Sequence, residues 1–196
     1  MSSYRCISSF GRPRCAACRR FIMDLQKIES GVRMVLEGIG EDVSRPGLVD
    51  TPRRVAKMYA EVLASTGKTN EQIAKEFGKC FDEPTGDDVV IVRDIPAFSW
   101  CEHHMALMYD MRVTVAYKPA GKVIGLSKIS RIVDAVTRRL QLQERIGHDI
   151  MEVIKLTTGS SDVTVIIEAK HSCVTARGIR KDSVTRTECR SGCPLI

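Results

Sequence analysis

The order in which helical and strand periodicity follow each other is the feature that most constrains the fold of this chain. Apolar residues at helical spacing predict one helix from Asp24 and a short one over Thr69 to Phe77. Between them, Asp50 or Thr51 can cap a further helix that has Pro52 in its first turn. The first part of the chain is therefore predicted to be helical.

Strand-like spacing begins only after this helical part. The β-branched run Val89 to Val92 predicts one strand, and the alternating residues Met111, Val113 and Val115 predict a second. The face shared by Ile129, Ile132, Val133, Val136 and Leu140 predicts a helix, the apolar residues of 146–154 predict another, and the alternation over 163–167 predicts a last strand. Helices, strands, helices and then a strand favour an α+β fold with an antiparallel sheet over repeated βαβ units.

Composition limits the classes of protein that this chain can belong to. Its 196 residues are 43% hydrophobic, which suits a globular domain, and no apolar run reaches the roughly 20 residues of a membrane span. A net charge of +6 permits an anionic partner: nucleic acid, a membrane surface or a phosphorylated small molecule. Nucleic acid is not favoured, because aromatic residues are only 5% and no basic block is interleaved with them.

The first 23 residues differ from the rest, with five arginines and no acidic residue. This composition is typical of an organelle-targeting leader or a disordered extension, or of sequence translated upstream of a start at Met23, and these alternatives stay open. Cys15 and Cys18 form a lone CxxC pair there, which is weak support for zinc. A chain of eight cysteines with this much core is expected to keep reduced thiols, and residues 24–196 are expected to form one domain, with N-terminal helices over 24–80 and an α+β part over 81–196.

Two short clusters of cysteine and histidine carry the strongest chemical signal. Cys101-Glu102-His103-His104 holds three possible zinc donors in four residues, and His171-Ser172-Cys173 follows the last predicted strand. Period-2 spacing predicts that His171 and Cys173 lie on the same side of the chain. A structural zinc site has four protein ligands, whereas a catalytic site has three and an open position for water, and this arrangement favours the catalytic kind.

These clusters occur within a longer set of motifs between about Asp50 and Arg180. The motifs are Thr51-Pro52-Arg53-Arg54-Val55-Ala56-Lys57-Met58-Tyr59, the Cys101 to His104 cluster, Gly125-Leu126-Ser127-Lys128-Ile129, Gln141-Leu142-Gln143-Glu144-Arg145 and His171-Ser172-Cys173-Val174-Thr175-Ala176-Arg177-Gly178-Ile179-Arg180. In these motifs the chain resembles the zinc-dependent GTP cyclohydrolase I family. Residue roles that spacing alone leaves open follow from this resemblance.

The resemblance implies three groups of site residues. It implies zinc ligands at Cys101, His104 and Cys173, and proton-transferring histidines at His103 and His171. It implies substrate contacts by Gln143 and Glu144 around the purine, and by Arg54, Ser127, Lys128, Arg131 and Arg177 along the ribose and triphosphate. Carboxylates can accept hydrogen bonds from guanine N–H groups, and cationic side chains suit several phosphate oxygens.

The implied activity is a zinc-dependent hydrolysis of GTP at C8 of the purine, with release of formate and formation of 7,8-dihydroneopterin triphosphate. The implied fold is of the tunnelling type: an antiparallel sheet with helices on one face, whose sheets close into a barrel in a cytoplasmic homodecamer with active sites between subunits. The C-terminal run from Lys181 to Arg190 departs from the family's usual threonine-rich strand and longer tail, which bears on the size of the assembly.

Three alternatives remain open on sequence alone. One is another enzyme of the same fold group, such as a pterin-making or deazapurine-reducing relative, or a cyclohydrolase variant that forms a cyclic phosphate. The second is a non-catalytic binding protein stabilised by zinc. The third, nucleic-acid binding through the basic leader, is compatible with enzyme activity in the remainder. The pathway served (folate, biopterin or modified base) and any regulatory partner are not encoded in these motifs.

Overall fold

The computed structural model describes residues 23–84 and 86–196. Its helices are α1 (Leu25–Gly38), α2 (Thr51–Val62), α3 (Asn70–Phe77), α4 (Leu126–Thr137), α5 (Gln143–Thr158) and α6 (Ser172–Thr175). Its strands are β1 (Cys80–Asp82), β2 (Val90–Cys101), β3 (Ala106–Tyr117), β4 (Lys122–Ile124), β5 (Leu140–Gln141), β6 (Val163–His171) and β7 (Thr185–Ser191). The α+β class and the helical N-terminal part are confirmed.

The N-terminal helices begin where polar side chains can satisfy free backbone N–H groups. Asp24 caps α1, since its carboxylate accepts a hydrogen bond of 3.0 Å from the Lys27 backbone N–H. Thr69 caps α3 and forms a capping box with Gln72. Asp50 precedes α2 without a side-chain cap bond. All three helices predicted for this part of the chain are present.

The main sheet has five strands in the order β5-β2-β3-β6-β7. Every neighbouring pair in it is antiparallel except β2 and β5, which run parallel. The predicted antiparallel sheet is therefore correct for four strands and wrong for the β5 edge. The parallel pair arises because α4 returns the chain to the start of a two-residue strand beside Trp100 and Cys101.

The core lies between α4, α5 and one face of this sheet. Cross-strand register places Val113 opposite Ile167 and Val115 opposite Val165, so their side chains share that face. These residues are fully buried together with the apolar sides of the helices, which are Ile129, Ile132, Val133, Val136, Ile146, Ile150, Val153 and Ile154. The helical face predicted for 129–140 is thus the core face of α4, except at its last member.

Two local predictions are wrong. Leu140, expected on the face of α4, lies in β5, because the helix ends at Thr137 and the chain turns to pair with Trp100. His171 and Cys173, expected to share one side of an extended strand, are separated by the end of β6, since Cys173 lies in the short helix α6. The strand β7, which periodicity did not predict, pairs with β6 from Thr185 to Ser191.

The basic leader predicted over residues 1–23, with its Cys15–Cys18 pair, lies outside the described part of the chain except for Met23. Over residues 23–84 and 86–196, none of the helices combines the length and the apolar character needed to cross a membrane.

Candidate metal centre and active site

Three potential metal ligands meet at one end of the sheet. Cys101 is the last residue of β2, His104 lies in the turn that follows, and Cys173 is in α6. One ligand atom from each lies within 4.8 Å of the other two. Tetrahedral zinc, with bonds of about 2.0 to 2.3 Å, needs ligand atoms roughly 3.3 to 3.8 Å apart, so small side-chain movements suffice to accommodate it.

Local structure explains why residues so far apart in sequence meet here. β2 and β3 pair from Cys101 and Ala106 onward, so the four residues between them form a tight turn, in which Met105 has a φ of 49°. α6 is fastened to β3 by the Ser172 hydroxyl, which donates to the Leu107 carbonyl at 2.8 Å. Cys173 is thereby held beside the end of β2.

The surroundings of the ligand group suit a partly open site. Cys101 is buried, Cys173 is half-buried and His104 is exposed. Burial, reinforced by the neighbouring Cys101, raises the pKa of the Cys173 thiol above its ordinary value. A divalent cation would reverse this effect, because it favours the thiolate form of both cysteines. Three donors with one exposed side match a catalytic zinc site better than a closed structural one.

His171 lies next to this group, at the end of β6. Its Nε2 atom is 2.7 Å from Oε1 of Gln143, the first residue of α5. Burial lowers the pKa of His171, and the carboxylate of Glu144 opposes that effect. Glu144 itself is exposed on the first turn of α5. An imidazole and an exposed carboxylate therefore stand beside the candidate metal ligands.

The second proposed catalytic histidine, His103, is exposed in the same turn as His104. Their ring centroids are 6.4 Å apart with the ring planes nearly perpendicular. Arg177 reaches this turn from the segment after α6, and its Nη1 lies 3.0 Å from Nε2 of His104. The proposed histidines and Arg177 thus belong to one cluster with the metal ligands.

An ion pair that motif reading did not single out braces this cluster. Arg145 of α5 donates two hydrogen bonds to the Glu102 carboxylate, at 2.6 and 3.1 Å. The pair lowers the pKa of Glu102, chiefly through the hydrogen bonds from Arg145. The Glu102 backbone N–H also donates to the Gln141 carbonyl at 3.1 Å. Both members of the pair lie in recognised motifs, but the sequence offers no signal that they pair with each other.

Three proposed substrate residues lie away from the metal ligands of the same chain. Ser127, Lys128 and Arg131 are on the first half of α4, which follows β4, and the Ile124 backbone N–H there donates to the Tyr117 hydroxyl at 3.1 Å. Tyr117 ends β3, whereas the ligand group lies at its beginning. Twelve residues of strand place these ends on the order of 30 Å apart. Arg54 is exposed on α2, and its nearest charged partner is Asp50 at 3.5 Å.

Comparison with known proteins decides the family. The family model described as GTP cyclohydrolase I matches residues 28–194. The chain belongs to the GTP cyclohydrolase I family. Similar curated proteins include GTP cyclohydrolase 1 of Clostridium beijerinckii, 52% identical over 170 residues, which are 84% of this chain and 86% of that protein. GTP cyclohydrolase 1 of Ruminiclostridium cellulolyticum is 51% identical over 170 residues, with 84% and 87% covered.

Solved structures show a looser likeness, among them an archaeosine synthase QueF-Like in the apo form. It aligns with a TM-score of 0.44 and 20% identity, over 57% of this chain and all of that chain. Membership of the GTP cyclohydrolase I family identifies the chain as an enzyme and makes a non-catalytic binding protein the weaker alternative.

Proposed function

We propose that this chain catalyses the hydrolytic opening of the imidazole ring of GTP, releasing formate and forming 7,8-dihydroneopterin triphosphate. The observation that carries the proposal is the convergence of Cys101, His104 and Cys173, whose ligand atoms lie within 4.8 Å of one another, in a member of the GTP cyclohydrolase I family. A zinc ion held by these three residues would lower the pKa of a bound water molecule and so supply a nucleophile for C8 near neutral pH.

The remaining chemistry is assigned to side chains of the cluster. His171 and His103 give and take protons as the ring opens and formate leaves, because imidazole is the side chain best suited to both proton donation and proton uptake near neutral pH. Protonation of the purine N7 makes the adjacent C8 a better electrophile. Glu144, exposed beside His171, accepts hydrogen bonds from the guanine N–H groups and so discriminates against adenine.

Binding of the triphosphate is proposed to require a second subunit. Arg177 lies within the cluster, but Ser127, Lys128 and Arg131 lie at the far end of the sheet of their own chain. A neighbouring copy can supply these three residues, which supports an active site between subunits. Anchoring the triphosphate there would hold C8 close to the metal ligands and histidines.

The outer surface of the chain supports such an assembly. None of the residues of α1 is buried, and on its apolar side Val35 and the C-cap residue Ile39 are 63% and 70% exposed. An amphipathic helix of this kind ordinarily covers its apolar side against another element. We therefore propose a homodecamer in which sheets of successive subunits close into a barrel and α1 packs against a neighbour. A single domain over 24–196 and a cytoplasmic location remain predictions.

The decisive experiment measures formate release from GTP together with zinc content. His171→Ala should retain zinc while losing about 100-fold or more in turnover, the usual contribution of a general acid or base. The matched control is His148, the fourth histidine of the chain, which is exposed on α5. His148→Ala should leave zinc content and turnover unchanged. A chain that binds GTP and zinc but releases no formate would refute the proposed activity, and one that forms a cyclic phosphate would favour the variant cyclohydrolase.

A complementation experiment tests the shared site. Cys173→Ala removes a metal ligand, Lys128→Ala removes a triphosphate contact, and each variant alone should be inactive. In mixed oligomers the Lys128→Ala chain supplies intact metal ligands and the Cys173→Ala chain supplies an intact Lys128. Because random assembly draws the two contributions independently, about a quarter of the sites should be complete. Absence of any recovered activity in mixed oligomers would show that each chain builds its own complete site.

A further inference from the structure

We propose that Gln143 is a positioning residue that determines which ring nitrogen of His171 carries the hydrogen. In this arrangement the neutral ring of His171 carries its hydrogen on Nε2, and its free lone pair is on Nδ1. The catalytic consequence rests on the proposed function, whereas the tautomer itself does not. The inference also gives Gln143 a role different from the purine contact that the family resemblance implies.

The orientation of the Gln143 amide is settled by its surroundings. Its side chain is 1% exposed, and its Nε2 atom donates toward the Ile167 carbonyl at 3.1 Å and the Thr185 carbonyl at 2.9 Å. The Thr187 hydroxyl lies 3.3 Å from the same nitrogen. Backbone carbonyls can only accept hydrogen bonds, so a flipped amide would place an oxygen against two other oxygens in a buried site. The nitrogen therefore faces β6 and β7.

The other end of the amide then constrains His171. With the nitrogen committed, Oε1 of Gln143 faces Nε2 of His171 at 2.7 Å. An amide oxygen has no hydrogen to donate, so the hydrogen of this bond belongs to the imidazole. A neutral imidazole has one N–H, which leaves Nδ1 as the ring nitrogen with a free lone pair.

Gln143 is also the direct sequence neighbour of the residue proposed to recognise the purine. Glu144, the proposed purine carboxylate, is the next residue of the same first turn of α5. One helical turn thus holds both the group proposed to recognise the base and the group that orients the proton donor. The relation between the purine and the His171 ring is then set by rigid backbone and not by a loop.

The tautomer can be measured directly in the natural protein. Magic-angle-spinning NMR of ¹⁵N-histidine-labelled protein distinguishes protonated from unprotonated ring nitrogens, and comparison with His171→Asn assigns the signals of His171. At a pH where the ring is neutral, we expect Nε2 to be protonated and Nδ1 to be unprotonated. The opposite tautomer, or a mixture of both in comparable amounts, would overturn the inference without the need for any variant of Gln143.

Substitution tests whether the amide oxygen is the cause. Gln143→Met has similar length and removes the acceptor, so the tautomer should become mixed and kcat should fall about 10- to 100-fold, the usual effect of losing a residue that orients a ligand or catalytic imidazole. KM for GTP should change little. A large rise in KM with unchanged kcat would instead support a direct contact between Gln143 and the purine, and would overturn the inference.

Thr187→Val is the matched control. It removes one acceptor from the same amide nitrogen but leaves the bond to His171 and the two carbonyl acceptors in place. We expect the natural tautomer and a nearly natural kcat; a loss as large as that of Gln143→Met would assign the effect to general packing and refute the positioning role. Failure of the proposed function is distinguishable, because it would leave the NMR result intact while no formate is released.

Discussion

The sulfur of Cys189 occupies the space that a side chain at Gly147 would need. This arrangement predicts two substitutions that each lower stability alone but restore it together. Gly147 lies on α5 and Cys189 on β7, where its side chain is 7% exposed. A Cβ atom added at Gly147 would stand 2.7 Å from the Cys189 Sγ but 3.5 Å from its Cβ. Only the sulfur therefore obstructs an alanine at this position.

The expected free energies follow from these distances. Gly147→Ala gains about 1 kcal/mol of helix propensity but costs about 1 to 3 kcal/mol of overpacking, so a net loss of about 1 kcal/mol is expected. Cys189→Ala loses about 1 kcal/mol because a buried atom of roughly methyl size is removed. In the double variant the new methyl group occupies the vacated space. Its stability should therefore equal or exceed that of the natural chain, a coupling of about 2 kcal/mol.

Thermal unfolding of the four proteins at one fixed subunit concentration measures this coupling. A change of 1 kcal/mol corresponds to about 2 to 4 °C in Tm for a chain of this size, so additive losses would lower the Tm of the double variant by about 4 to 8 °C. We expect no decrease. An additive loss would refute the reasoning, because it would mean that the sulfur of Cys189 is not what obstructs a methyl group at position 147.

Two further predictions concern the site and its support. Arg177 donates to Nε2 of His104 at 3.0 Å. An imidazole that binds a metal through one nitrogen carries hydrogen on the other, so His104 cannot accept this bond and bind zinc at the same time. Arg177→Ala should therefore tighten zinc binding by about tenfold, as measured by competition with a chromophoric chelator, and unchanged or weaker binding contradicts this. Asp149 accepts a hydrogen bond from Gln141 at 2.8 Å and pairs with the largely buried Arg139 at 3.5 Å. Asp149→Asn leaves the charge of Arg139 without its partner, so the free energy of unfolding should fall by about 3 kcal/mol in a denaturant titration. A loss below about 1 kcal/mol would show that water screens the pair.

The two clusters of the candidate metal group could be predicted from sequence because their chemistry is distinctive, whereas the choice of His104 over His103 came from the family resemblance. Thiolates and imidazoles are the preferred ligands of zinc, and the chain concentrates them in two short clusters. The meeting of Cys101 with Cys173 requires only that strand ends come together, which family motifs already imply. Helical periodicity was equally informative, because the buried faces of α4 and α5 are long enough to average out local exceptions.

Other features depend on tertiary contacts that no local pattern encodes. The pairing of Glu102 with Arg145 joins surface charges 43 residues apart in sequence, and either charge alone is typical of a solvated side chain. The burial of Gln143 depends on carbonyls of β6 and β7, and β7 itself lacks a clear apolar alternation. The separation of Lys128 from the metal ligands follows from the direction of β3, which periodicity does not reveal.

The short connection from β5 into α5 also limits how such an enzyme can change. Gln141 is anchored to the strand that ends in Cys101, and Gln143 begins the helix only two residues later. Removing or adding one residue there would rotate the start of the helix by about 100°, turning Gln143 away from its histidine while Gln141 stays in place. If this turn contacts the purine as proposed, exchanged side chains on it can alter base preference, whereas an insertion or deletion at this point would also break the bond between Gln143 and His171.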